Sequence, residues 1–223
     1  REEESLPHVG SALAKGKTAM AKATTKAAEV RQGLDHPIID ADGHFVELGP
    51  ILEDELVAYI EQDGGAAMRE RYLKSPVKPF DTSTVLADRD SPDVRAQWKS
   101  MPSWWGWQTK NTRDRATAHL PRLLYERMDE MGIDFMLLYP SAVLALIDYE
   151  DEELGAVLAR GANRWLARIF APYKDRIAPG GIVPMKTPQT AINVAEHAVK
   201  ELGIKTIVIS GYARRPLGPK PEK

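Results

Sequence analysis

No cysteine occurs among the 223 residues. Disulfides and cysteine-based zinc sites are therefore excluded. No apolar run approaches the roughly 20 residues of a transmembrane helix, and the opening "REEESLPHVG" has no signal-peptide core. Neither sign of charge dominates: 30 basic residues stand against 32 acidic ones, a net charge of -2. That balance gives no electrostatic case for nucleic acid or an anionic membrane as partner. Phosphate loops are missing too. There is no Walker pattern and no glycine-rich turn after the first strand, and neither "GLDHP" nor "DADGH" substitutes for one. What remains is the composition of a soluble globular chain, 43% hydrophobic and 28% charged, long enough for one or two domains. The lack of cysteine fits a reducing compartment, and the cytoplasm is the expected location. The chain opens on Arg1 rather than Met, which fits processing, trimming or an incomplete chain.

The order of elements carries more. Residues 1–36 read as an Ala/Lys-rich N-terminal extension, helical or flexible, with Gly33 as a stop. Ile38 to Phe45 reads as a first strand. Ile51, Leu52, Leu56 and Ile60 then have the spacing of a short helix. A long irregular excursion is expected over 66–116, with Pro76, Pro79, Pro92 and Pro102 and the tryptophans Trp98, Trp104, Trp105 and Trp107. Such excursions are often functional, and these tryptophans would cover a pocket or pack a subunit interface. A regular pattern follows. "HLPRLLYERMDEMG" is a helix with Leu120, Leu124 and Met131 on its buried stripe, and "IDFMLLYP" is a strand. "DEELGAVLARGANRWLARIFAPY" is a helix buried through Leu154, Leu158, Trp165 and Ile169, and "IAPGGIVPM" holds a strand. "TPQTAINVAEHAVKELG" is a helix capped by Thr187 and stopped at Gly203, before the strand "IKTIVISG". Strands alternate with helices, and the later strands lack polar alternation. This is the pattern of a parallel sheet covered by helices. It fits an open doubly wound sheet or the first half of an eight-stranded barrel.

In either architecture, chemistry collects at the carboxyl ends of strands. The first end offers Asp42, His44 and Glu47, and the second Tyr139 and Ser141. The third offers Met185 and Lys186, and the fourth Ser210, Tyr212, Arg214 and Arg215. "IIDADGHFVE" is the most unusual of these stretches. Asp40, Asp42 and His44 are two apart, which on a regular strand puts all three on one face. Two carboxylates and an imidazole there need a partner. Asp42 and His44 combine a hard oxygen with a borderline nitrogen, which suits Zn²⁺, Mn²⁺ or Fe²⁺, and Asp40 would orient the site from behind. A satisfied hydrogen-bond network or an acidic turn is the alternative. Two ligands are also fewer than a catalytic site uses. The other histidines add none: His8 is in the extension, His36 precedes Pro37, His119 reads as a helix cap and His197 as solvated.

"IIDADGHFVE", "RATAHLPRLLYERMDEMGIDFMLLYPS", "NRWLARIFAPYKDRIAPGGIVPM" and "AVKELGIKTIVISG" together resemble the amidohydrolase family 2 group. This is the branch of the amidohydrolase superfamily that includes aminocarboxymuconate-semialdehyde and resorcylate-type decarboxylases. The resemblance runs from about residue 36 to 215. It implies an α/β fold, the first half of a (β/α)₈ TIM-type barrel over 37–215, followed by a tail at 216–223. It also implies a divalent metal at the carboxyl end, zinc first, with manganese or iron(II) as alternatives. Asp42 matches the family's first ligand position and His44 the second. Further ligands in the family come from a histidine after strand five and an aspartate after strand eight, with a histidine after strand six aiding catalysis. This sequence stops at "GYARRPLGPKPEK", after its fourth strand.

A barrel takes about 250 residues, so the expectation is a half completed by a partner chain, by a missing C-terminal half, or by pairing of two halves. A catalytically inactive remnant is the remaining reading. The expected activity is a metal-dependent decarboxylase or hydrolase acting on a small carboxylate or carbonyl substrate, in an oligomer. Trp104, Trp105, Tyr139 and Arg214 are the expected substrate contacts. The alternative is an inactive structural or regulatory subunit that binds a full-length relative.

Overall fold

The computed structural model describes residues 25–75 and 109–211. Four strands alternate with helices: β1 (Ile39–Phe45), β2 (Phe135–Pro140), β3 (Ile177–Ile182) and β4 (Thr206–Val208). They form one parallel sheet in the order β1-β2-β3-β4. Each strand pairs with the next in sequence. A doubly wound sheet reverses its order at a switch point, and no reversal occurs among the described residues. The sequential order is that of consecutive strands in a (β/α) barrel, with half the eight strands that closure uses. In β2, Met136, Leu138 and Pro140 are buried, while Phe135, Leu137 and Tyr139 are half-buried. One face of the sheet is therefore packed, and the other is partly open among the described residues.

Helix α1 (Lys26–Gln32) starts where the Thr25 hydroxyl accepts the Ala28 N–H at 3.1 Å, and Gly33 caps its end. It buries no residue, as its alanine-rich face foretells, and polar contacts dock it instead. The Thr25 hydroxyl donates to the Glu130 carbonyl, and Arg31 pairs with Asp134. Asp134 also accepts the Ile38 N–H at 2.7 Å, just ahead of β1.

Helix α2 (Gly49–Lys74) is longer than its sequence pattern suggests. Leu52, Leu56 and Ile60 are fully buried as expected, but Ile51 is exposed. The helix kinks at the Gly64–Gly65 pair and resumes beyond it. Gly65 adopts φ 78°, ψ 175°, a kink that only glycine tolerates well. The next turns bury Met68 and Tyr72. Residues 66–74, expected at the start of the irregular excursion, are therefore helical. At its far end α3 (Thr112–Thr117) is capped by Asn111. The interior of the excursion, with Trp98, Trp104, Trp105 and Trp107, lies outside the described residues.

Helix α4 (Pro121–Met131) begins at Pro121 and ends at Gly132, φ 71°. It buries Leu124 and Met128, whereas Leu120, placed on the buried stripe by spacing, precedes the first turn and is exposed. Helix α5 (Glu152–Phe170) is capped by Asp151 and carries the widest buried face. Leu154, Leu158 and Trp165 are buried as expected, and Ile169 is half-buried. Phe45 of β1 meets Phe170 edge-on at 5.1 Å between ring centres. Buried Asn163 clamps β3: its side-chain amide donates to the Ile182 carbonyl at 2.9 Å and accepts the Ile182 N–H at 2.7 Å. Helix α6 (Pro188–Glu196) is capped by Thr187, as read from sequence, and runs into one π turn, His197–Glu201, before Gly203. Among the described residues, no helix is long and apolar enough to cross a membrane.

Two outcomes follow. Gly65→Ala places a Cβ on a backbone that side chains avoid, so it lowers unfolding stability by about 1–3 kcal/mol, measured by urea titration. Asp134 is held below its ordinary 3.8, first by Arg31 and then by the Ile38 N–H. A lowered folded value means that its contribution is complete above the unfolded pKa and lost as pH falls through the folded one. Amide exchange in α1 therefore accelerates below about pH 4, and Asp134→Asn abolishes that pH step.

Candidate metal centre at the strand ends

β1 lies close against β2 at Gly43. A Cβ there would stand 2.6 Å from the Met136 side chain and 3.1 Å from the Leu137 carbonyl. Gly43 and Phe45 are buried against the packed side, while Asp42 is exposed and His44 half-buried on the open side. The register slips between Asp40 and Gly43. That irregularity interrupts the ladder just beneath the pair. There Asp40 Oδ1 accepts the Asp42 N–H at 3.0 Å, fixing the backbone beneath Asp42 and His44.

His44 faces Tyr139, its register partner on β2, with ring centres 5.7 Å apart and planes tilted by 53°. Its Nδ1 lies 3.2 Å from Ser141 Oγ. Burial lowers the imidazole pKa, partly offset by the negative charges of Asp42 and Asp40. The neutral ring, the form that ligates metals, is thereby favoured.

Glu47, expected as an open strand-end acid, is buried. Its carboxylate accepts the N–H groups of Ser141 at 3.1 Å, Ala142 at 2.8 Å and Val143 at 3.4 Å. These begin the 3₁₀ turn Val143–Asp148 that follows β2. Burial pushes this carboxyl up, and the backbone N–H groups pull against it. Sequence reading found Glu47 and Ser141 at adjacent strand ends but missed their partnership, because no local spacing joins residues so far apart in the chain.

The remaining candidates are dispersed. His119 sits in the turn before α4, its Nδ1 2.7 Å from the Val46 carbonyl, and so fastens the loop after β1. His36 is exposed, with Nδ1 3.3 Å from the Pro37 carbonyl. His197 is more buried than its helix position suggests and lies 3.9 Å from Glu201. Lys186 pairs with Asp148 at 3.1 Å. His8, Trp104, Trp105, Tyr212, Arg214 and Arg215 lie outside the described residues.

The donor chemistry of Asp42 and His44 fits two positions of a coordination shell. Among the described residues, no group of three or more His, Cys, Asp or Glu is placed to hold an ion.

No family model matches the chain. It is 27% identical over 152 residues to the gamma-resorcylate decarboxylase of Polaromonas sp. (strain JS666), covering 68% of this chain and 40% of that protein. Among solved structures it is similar to the dihydroxybenzoic acid decarboxylase of Polaromonas sp. JS666 with bound manganese and the inhibitor 2-nitroresorcinol. The identity there is 21% and the TM-score 0.43, over 81% of this chain and 40% of that one. It is also similar to the 5-carboxyvanillate decarboxylase of Sphingomonas paucimobilis, at 19% identity and TM-score 0.45, over 80% and 44% of the two chains. The chain spans less than half the length of these relatives.

The Glu47 cradle makes a test of its own. Glu47→Ala strands buried N–H donors, so it lowers stability by at least about 2 kcal/mol, read from the urea midpoint.

Proposed function

We propose that this chain is the metal-bearing first half of a (β/α)₈ enzyme that removes CO₂ from a small aromatic carboxylate. The observation that carries the reading is the pair Asp42 and His44 at the carboxyl end of β1, beside Tyr139. Sequence similarity to a gamma-resorcylate decarboxylase supports the reaction type.

Asp42 and His44 would hold a divalent ion, with zinc the first to test and manganese and iron(II) next. Such an ion, when bound, stabilises negative charge developing on substrate oxygens. Tyr139 borders the same space with a ring suited to a planar substrate. A proton must reach the ring carbon as CO₂ departs. The group delivering it, and the remaining ligands, belong to a second half in a longer chain or a partner subunit.

The test is metal analysis with native mass spectrometry on one sample, followed by a screen of hydroxylated benzoates for CO₂ release. The expected result is one divalent ion per assembly, with metal and CO₂ release both lost in His44→Ala. A metal-free, folded species unchanged by His44→Ala would overturn the enzyme reading and leave an inactive binding subunit.

A further inference from the structure

We infer that Ser141 and Glu47 are positioning residues for His44: Ser141 Oγ accepts the His44 Nδ1–H, Glu47 holds Ser141 in place, and Nε2 is the nitrogen offered to the ion. The inference rests on the metal reading above and adds two residues to it.

Three observations converge. Glu47 is 5% exposed and is the only buried charged residue among the described residues. An ordinary helix cap uses one local side-chain oxygen. Glu47 instead reaches from the loop after β1 to three N–H groups after β2. The Ser141 N–H is also 2.9 Å from the Phe45 carbonyl, so its backbone is tied to the end of β1 by both carbonyl and carboxylate. Ser141 is itself 4% exposed, with its hydroxyl 3.2 Å from His44 Nδ1. A ligating histidine is commonly held through its other ring nitrogen, and that hold fixes both tautomer and ring direction. Here the hydroxyl does so, and the buried carboxylate keeps the hydroxyl from moving.

The experiment uses the whole ¹⁵N-labelled chain without metal, above pH 7.5. Long-range ¹H–¹⁵N spectra read the two His44 nitrogens, and Zn²⁺ affinity is read by competition with a chromogenic chelator. Wild type is expected to show Nδ1 protonated and Nε2 unprotonated. In Ser141→Ala both signals move towards averaged values, and Zn²⁺ binds about tenfold more weakly or worse. Ser141→Thr, which keeps the hydroxyl, restores both. A wild-type spectrum with Nε2 protonated, or with mixed tautomers, overturns the inference without any variant. Ser141→Ala with unchanged nitrogens and affinity overturns it as well. A fixed Nδ1–H tautomer in a chain that takes up no Zn²⁺ upholds the hold on the ring and overturns metal binding by Asp42 and His44 without the second half.

Discussion

A carboxylate shut away from water is tolerated only where protein dipoles replace the water. Glu47 meets that condition with three backbone N–H groups, and the candidate site depends on how it does so. The donors belong to the turn after β2, while the acceptor belongs to the loop after β1. Satisfying one buried charge therefore brings two strand ends to a fixed separation. Tyr139 and Ser141 lead into that turn, and His44 is the penultimate residue of the facing strand. Their meeting is a by-product of solving a solvation problem nearby.

The sheet explains why the polar pair is tolerated at all. Strand β1 buries Gly43 and Phe45 on the helix side and leaves Asp42 in contact with solvent. The charge sits where desolvation is small, and the aromatic mass sits where packing is dense. Phe45 lies between Phe170 and Trp165 of α5, at 5.1 and 6.1 Å. Anchoring Phe45 fixes the direction of His44, its neighbour in sequence, because successive strand side chains point to opposite faces.

Much of this was legible in the sequence. The alternation of apolar strands and amphipathic helices revealed the parallel layer, and Thr187 and Gly203 marked helix ends where the structure has them. Asp42 and His44 drew notice in the sequence because two-residue spacing on a strand is a local pattern. The register slip beside Asp40 was not legible, because such an irregularity has no signature in periodicity. The second half of α2 was missed because a glycine pair normally ends a helix. Here buried Met68 and Tyr72 outweigh local propensity, as tertiary packing often does. Ser141 and Glu47 were seen as strand-end residues, but their bond spans 94 positions, beyond the reach of any local pattern.

Helix α5 is fastened to its two neighbours by different kinds of force. Towards α2 it presents Arg160 to Asp63, Arg164 to Gln62 and the Tyr59 ring, and Arg168 to Glu55. Towards β3 it presents the neutral amide of Asn163, sealed from solvent. Salt screens the first set, whose ion pairs are partly exposed, and leaves the second nearly untouched. Rising ionic strength therefore weakens only the polar rim between α5 and α2. The apolar contact of Gly161 with Leu56 and Tyr59 and the Asn163 clamp on β3 carry the registry of the layer into brine.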